Sequence, residues 1–242
     1  MPDDTVQAAY SAIHPLYIDL FGSPSDLAPE DTTFALTHLS PGPVLDLGCG
    51  PGHFTKFLTD AGIPATGMDM VPEFITHART TYPDIPFELG SLRTLAAPDN
   101  SVPAILAWFS LIHLDPTELP TVLAEFHRAL TPNGRLVIGY FESPETVEPF
   151  PHKVTTAYRY PTTTLTDLTT RAGFTELAHL HHPASGEVRP HAALAVAKSS
   201  PHDPGGLGRP NQLAEDLNSA EVMDRAWSAD SSVTPEVAND HP

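Results

Sequence analysis

Val44-Leu45-Asp46-Leu47-Gly48-Cys49-Gly50-Pro51-Gly52 is a short apolar run that leads into three glycines at alternate positions. A strand that ends this way lets the backbone approach a ligand where any Cβ would collide. The helix expected next presents unpaired N–H groups at its start. The stretch is therefore a nucleotide-type turn between a strand and a helix.

The spacing separates possible ligands. A dinucleotide turn of the form G-x-G-x-x-G places its third glycine at 53, but His53 stands there and Gly52 comes one residue early. Asp46, at the strand end, favours a cationic ligand group over a pyrophosphate. Asp69 closes the next apolar run, 21 residues after Gly48. At about that separation an acid reaches the ribose hydroxyls of a nucleoside seated on the glycine turn, in nicotinamide enzymes as in others.

Outward from the turn, β-like runs alternate with helical patterns. Val44 to Leu47 precedes Phe54 to Asp60, Ala65 to Met68 precedes Glu73 to Thr80, and Ile105 to Trp108 precedes Thr117 to Leu130, before a strand at Leu136 to Tyr140. Such alternation predicts βαβ units, a parallel sheet and helices on both faces. The helix from Thr117 is expected to stop at Thr131-Pro132-Asn133-Gly134, read as a turn with a left-handed glycine. Helix Thr164 to Ala172 ends at Gly173. Glu176 to His182 and Ala192 to Ala197 follow with no helix between them, which predicts an antiparallel hairpin on one sheet edge.

Taken together, Asp-x-Gly-x-Gly-x-Gly, then Gly-x-Asp, then a helix ending in Leu-Thr-Pro-Asn-Gly-Arg-Leu before a strand, resembles the class I S-adenosylmethionine-dependent methyltransferases of the small-molecule type. The resemblance spans residues 30 to 198. It implies a Rossmann-like α/β three-layer sandwich on a seven-stranded, mostly parallel sheet of order 3-2-1-4-5-7-6, with strand 7 antiparallel. It also implies S-adenosyl-L-methionine as cofactor. Asp46 and the backbone at Gly48 and Gly50 would hold its methionine part, Asp69 the ribose, and Met70 would flank the adenine. After the third strand, Phe87 to Leu89, the family usually carries an acid toward the adenine amino group. Here Ser91 takes that place and Leu92 supplies a backbone amide. Val102-Pro103 stands where the family often has Phe-Asp, which requires Pro103 at the strand start.

The chemistry implied is in-line methyl transfer, which needs alignment, dryness and sometimes a base. His113, past the carboxyl end of the fourth strand, is the candidate base; its alternative role is to hold the loop before Asp115-Pro116. His152, Tyr158, Arg159 and Tyr160, between the fifth strand and the last helix, are the acceptor-facing candidates. Ala9 to Tyr17 resembles the helix that closes over the donor, with Tyr10 against it. Cys49 is expected to be a packing residue. His179, His181, His182 and His191 lie on the final hairpin. No carboxylate or Cys is spaced locally to complete a metal site with them, so no metal is expected.

Composition bounds the partners. Asp plus Glu number 30 against 12 Lys plus Arg, a formal net charge of −18. A nonspecific hold on nucleic acid or an anionic membrane is thereby disfavoured. Eight of the acids and two of the bases lie from Ser199 onward, where early Pro and Gly predict an acidic flexible tail (199–242), with a possible short helix from Gln212 to Trp227. Residues 31–198 are expected to form the methyltransferase domain and 1–30 a helical cap. One cysteine, no basic leader before Met-Pro-Asp-Asp, and no apolar run near 20 residues point to a cytoplasmic protein with neither signal nor membrane span. The expectation is a small-molecule methyltransferase. Its alternatives are a nicotinamide oxidoreductase and a non-catalytic module binding S-adenosylmethionine or its demethylated product.

Overall fold

The computed structural model describes residues 3–39, 42–186 and 189–199. The elements run α1 (Asp3–Phe21), a 3-10 turn (Pro24–Asp26), α2 (Pro29–Leu39), β1 (Val44–Leu47), α3 (His53–Asp60), β2 (Ala65–Asp69), α4 (Pro72–Thr81), β3 (Phe87–Leu89), β4 (Val102–Trp108), α5 (Leu119–Ala129) and β5 (Leu130–Phe141). They continue with β6 (Glu148–Pro151), β7 (Thr156–Arg159), α6 (Thr162–Arg171), β8 (Phe174–His182) and β9 (His191–Lys198).

The main sheet has seven strands in the order β3-β2-β1-β4-β5-β9-β8. β1 through β5 pair in parallel, whereas β9 runs antiparallel to both β5 and β8. This is the expected topology, with the last two main-sheet strands renumbered because a small hairpin precedes them. Central strands are apolar throughout because helices cover both faces: Ile105, Leu106 and Ala107 of β4 have no exposed surface. β9 reads the same way, since it lies between β5 and β8, while the edge strand β8 alternates toward solvent. Helix α5 buries Leu119, Val122, Leu123, Phe126 and Ala129, one stripe at helical spacing.

Three local expectations are corrected. Thr131 to Gly134 is no separate turn but extended backbone continuous with β5, and Asn133 takes the left-handed conformation (φ 60°) instead of Gly134. Gly134 is needed for proximity: a Cβ there would stand 2.8 Å from the Thr131 carbonyl oxygen and 3.0 Å from that of Pro103. Phe141 to Thr163, read as a loop, contains the two-stranded β6–β7 hairpin. The boundary expected after residue 30 falls inside α2, whose Ala35 and Leu39 pack with Val44, Phe54 and Leu106. Pro103 does sit at a strand start, where the β4–β5 register shifts between Val102 and Ala104. The tail expectation, with its possible helix, lies almost wholly outside the described residues.

Two side chains repair backbone defects. Pro15 lies inside α1 and has no N–H for the Ser11 carbonyl one turn back. The His14 Nδ1 donates to that oxygen at 2.8 Å in its place. At the end of β9, Lys198 Nζ donates to Asn100 Oδ1 (2.8 Å) and to the carbonyls of His127 (2.6 Å) and Leu130 (2.9 Å), joining that strand end to the α5–β5 connection. No described helix is long and apolar enough to cross a membrane.

Candidate functional site

Ligands of open α/β sheets bind beyond the carboxyl ends of the strands, where the order reverses. In this sheet the reversal falls between β1 and β4, and a cleft opens there with about 730 Å³ of empty space, its open mouth included. Its floor is the glycine turn and the end of β2; α1 and the segment after β4 form its walls.

The turn explains its glycines. Gly48 has φ 73°, and a Cβ on it would meet Ser110 Cβ at 2.3 Å. Gly50, with φ 55°, has only Tyr17 Cε1 at 3.8 Å ahead of its absent Cβ, so any side chain there would occupy the cleft itself. Gly52 ends the turn as the left-handed N-cap of α3. Cys49 is 4% exposed and packs with Ile75, Ala78, Ile85 and Phe87, and burial pushes its thiol pKa well up. It is a packing residue, not a nucleophile.

Asp69 lines the cleft and ties two turns together. Its Oδ2 accepts from Gly50 N and its Oδ1 from Val71 N, each at 2.8 Å. Burial raises its pKa to about 6 against the pull of those backbone donors. Each oxygen keeps a lone pair, which suits a vicinal diol. Asp46 is buried as well, and desolvation lifts its pKa to about 7. It does not line the cleft, and its Oδ2 accepts from Thr55 Oγ1 at 2.7 Å.

Tyr10 and His113 meet across the opening. The His113 Nδ1 lies 2.8 Å from the Thr156 carbonyl, which only accepts, so Nδ1 carries the proton and Nε2 accepts from the Tyr10 hydroxyl at 3.0 Å. Burial lowers the His113 pKa, which keeps the ring neutral, and raises that of Tyr10 well above its usual value. Both roles considered for His113 therefore coexist: it anchors the β6–β7 hairpin and it borders the cleft.

Of the residues singled out from the sequence, Tyr10, Gly48, Gly50, Asp69, Met70, Leu92 and His113 converge on this cleft. Ser91 does not line it; its Oγ accepts from Arg93 N at 3.3 Å, and Arg93 is the lining residue. His152 packs its ring on His113 at 5.4 Å between centroids, one layer behind the cleft, and burial lowers its pKa to about 4. Tyr158 is fastened by its N–H to the Ile112 carbonyl. Arg159 lies 3.2 Å from Glu148 and over the Phe150 ring. Tyr160 is 4% exposed within the main core, and its hydroxyl has no partner among the described residues. These last three lie away from the cleft: β7 places Tyr158 and Arg159 on the hairpin tied to the cleft's rim through Ile112 and His113, and Tyr160, just past β7, pairs with the end of β5.

Sequence inspection missed Tyr17, Phe74 and Ser110. Tyr17 lies two turns past Tyr10 on α1, and the two rings pack edge to face at 5.4 Å, each against Phe74 of α4. The seven-residue spacing was the available signal. Ser110 follows β4 and carries a buried Oγ with no partner among the described residues. An orphaned hydroxyl, a glycine whose side chain would fill the space and a diol-matched carboxylate fit a nucleoside with a polar tail.

A family model for methyltransferase domains matches residues 44–134. Trans-aconitate 2-methyltransferase of Rhizobium meliloti is 33% identical over 118 residues, which cover 45% of this chain and 42% of that protein. The match thus spans less than half of that relative's length. Among solved structures, the 1,6-didemethyltoxoflavin-N1-methyltransferase of Burkholderia thailandensis, with 1,6-didemethyltoxoflavin and S-adenosylhomocysteine bound, superposes with a TM-score of 0.69 at 22% identity, covering 81% of this chain and 88% of that one. The [4+2]-cyclase SpnF superposes at 0.65 with 18% identity, covering 82% and 97%. Residues 44–134 are thus similar in sequence to methyltransferase domains, and the sheet that carries them has the strand order that the resemblance to class I S-adenosylmethionine-dependent methyltransferases implied.

Proposed function

We propose that the chain moves a methyl group from S-adenosyl-L-methionine to a small-molecule acceptor. The convergence of Gly50, Asp69 and the Tyr10–His113 pair on one cleft at the sheet's reversal point carries this reading. When bound, the cofactor supplies an electrophilic methyl on a sulfonium. Asp69 accepts from the ribose hydroxyls, Gly48 and Gly50 permit close backbone approach, and Ser110 offers an unspent hydroxyl to the methionine end. Met70 and Leu92 cover the base, while Tyr10, Tyr17 and Phe74 keep the cleft dry. His152 backs the His113 ring, and Tyr158 ties the β6–β7 hairpin to the segment after β4.

His113 takes a proton from the acceptor by way of the Tyr10 hydroxyl, since its Nε2 already accepts from that group. Replacing His113 with Ala is then expected to lower kcat by about 100-fold or more while donor affinity changes little, the range for loss of general-base catalysis. The formal net charge of −18 favours a small acceptor over nucleic acid, and the single cysteine fits a reducing cytoplasm. The relative from Rhizobium meliloti acts on trans-aconitate by name, which makes small carboxylic acids the first acceptors to try.

A second use of the cleft, binding without methyl transfer, is favoured by the occupied Nε2 of His113 and by a scaffold shared with a cyclase. Calorimetric titration with S-adenosylmethionine, S-adenosylhomocysteine and NAD separates the cofactors. Binding of the first two without NAD is expected; NAD alone would overturn the proposal. Donor binding without turnover on a broad acceptor panel would favour the second use.

A further inference from the structure

Away from the cleft floor, three side chains with metal-ligating atoms meet at the edge of the sheet: Asp31, His182 and His191, whose ligand atoms all lie within 4.8 Å of one another. We propose that they form a binding site for a divalent transition metal of the zinc type, holding α2 to the β8–β9 hairpin.

The fold assembles this set from distant pieces. His182 and His191 are register partners, the last pair of the β8–β9 ladder, and their rings stack with centroids 4.4 Å apart and planes 15° from parallel. Asp31 enters from the first turn of α2, 151 residues before His182, and its Oδ1 lies 2.8 Å from His182 Nε2. Asp31 is 7% exposed, so its carboxylate is held at a fixed place instead of sampling solvent. His191 is oriented too: its Nδ1 lies 3.1 Å from the Arg189 carbonyl, which only accepts, so Nδ1 carries the proton and the Nε2 lone pair stays available. A ligating histidine whose other nitrogen donates to a carbonyl is the usual arrangement around bound zinc.

The donor chemistry selects the ion. Two imidazole nitrogens and one carboxylate suit Zn²⁺, Co²⁺, Ni²⁺ or Cu²⁺, whereas Mg²⁺ and Ca²⁺ require more oxygen ligands. Tetrahedral bonds of about 2 Å put neighbouring ligand atoms roughly 3.3 Å apart. The Asp31–His182 pair opens slightly to admit the ion and the widest pair closes, both by side-chain rotation. The metal takes the place of the proton between His182 Nε2 and Asp31 Oδ1, which leaves Nε2 for Nδ1 or solvent. Three protein ligands leave a fourth position for water. The Phe109 ring lies 5.9 Å from that of His191 and also lines the cleft, so the ion would stiffen the cleft's outer wall.

The sequence hides this site because the carboxylate is not local. His179 and His181, also on β8, form a rival pair at 4.7 Å between centroids, on the opposite face of the strand from His182. They serve as the control.

The test is titration of untagged full-length protein with Zn²⁺ by calorimetry and with Co²⁺ by visible absorption, with thermal unfolding in parallel. One equivalent of Zn²⁺ is expected, a Co²⁺ d–d spectrum of low symmetry, and a rise in Tm on adding Zn²⁺. Asp31→Asn, His182→Ala and His191→Ala should each weaken binding by more than about tenfold, the least that even outer-shell partners contribute. His179→Ala should leave it unchanged. His191→Ala keeps the Asp31–His182 hydrogen bond and therefore the fold, which circular dichroism checks. Absence of stoichiometric binding, or binding indifferent to His191→Ala, would overturn the proposal and leave an Asp–His pair with a stacked neighbour.

Discussion

Asp69 is held by two backbone donors while burial raises its pKa to about 6. Ribose hydroxyls need the ionised form, so donor affinity is expected to hold above pH 7 and to fall as pH drops below about 6. The slope approaches tenfold per pH unit for one linked proton. Asp69→Asn keeps the shape, removes the charge, and should cost about 1–3 kcal/mol of donor binding while flattening that pH profile. Calorimetry from pH 5 to 8 checks both. A variant that binds as tightly as the parent, with an unchanged profile, would remove Asp69 from the ribose.

Helices and strands hold this cleft together through a few repairs. His14 satisfies the carbonyl that Pro15 cannot, so α1 keeps its course past Tyr10 and Tyr17. His14→Ala should lower stability by about 0.5–1.5 kcal/mol, read from denaturant midpoints at constant m. Lys198 is the larger case because three acceptors share one buried ammonium. Its methionine replacement keeps the stem but strands two carbonyls, with an expected loss of about 1–3 kcal/mol. Equal unfolding midpoints for variant and parent would mean that water replaces the ammonium.

Over the whole molecule, buried acids set the pH response. In the unfolded chain Asp46 and Asp69 titrate near 3.8; folded, near 7 and 6. The folded state thus holds more protons between these values, and the stability these groups supply is present below pH 4 and lost as pH rises toward 7. A formal charge of −18 pushes the same way, through self-repulsion. Asp46→Asn can still accept from Thr55, so it should raise Tm at pH 8 and change it little at pH 4. A Tm difference that does not vary with pH would refute the raised pKa.

The βαβ alternation, the edge hairpin and the cleft position were legible in the sequence because they rest on local signals, whereas the strand order was implied by the family resemblance. Apolar runs, helical stripes and the glycine turn are written within a few residues, and Asp69 follows from its distance along the chain. What the sequence could not supply is direction. Asp46 turns to Thr55, Tyr160 turns into the core and Ser91 yields the cleft wall to Arg93, because each orientation depends on neighbours from other elements. The β6–β7 hairpin hid behind two prolines, its strands pairing only with each other. The meeting of Asp31 with His182 and His191 needed the tertiary structure most of all. Strand pairing joined the two histidines, and only the packing of α2 on the sheet brought a carboxylate to them.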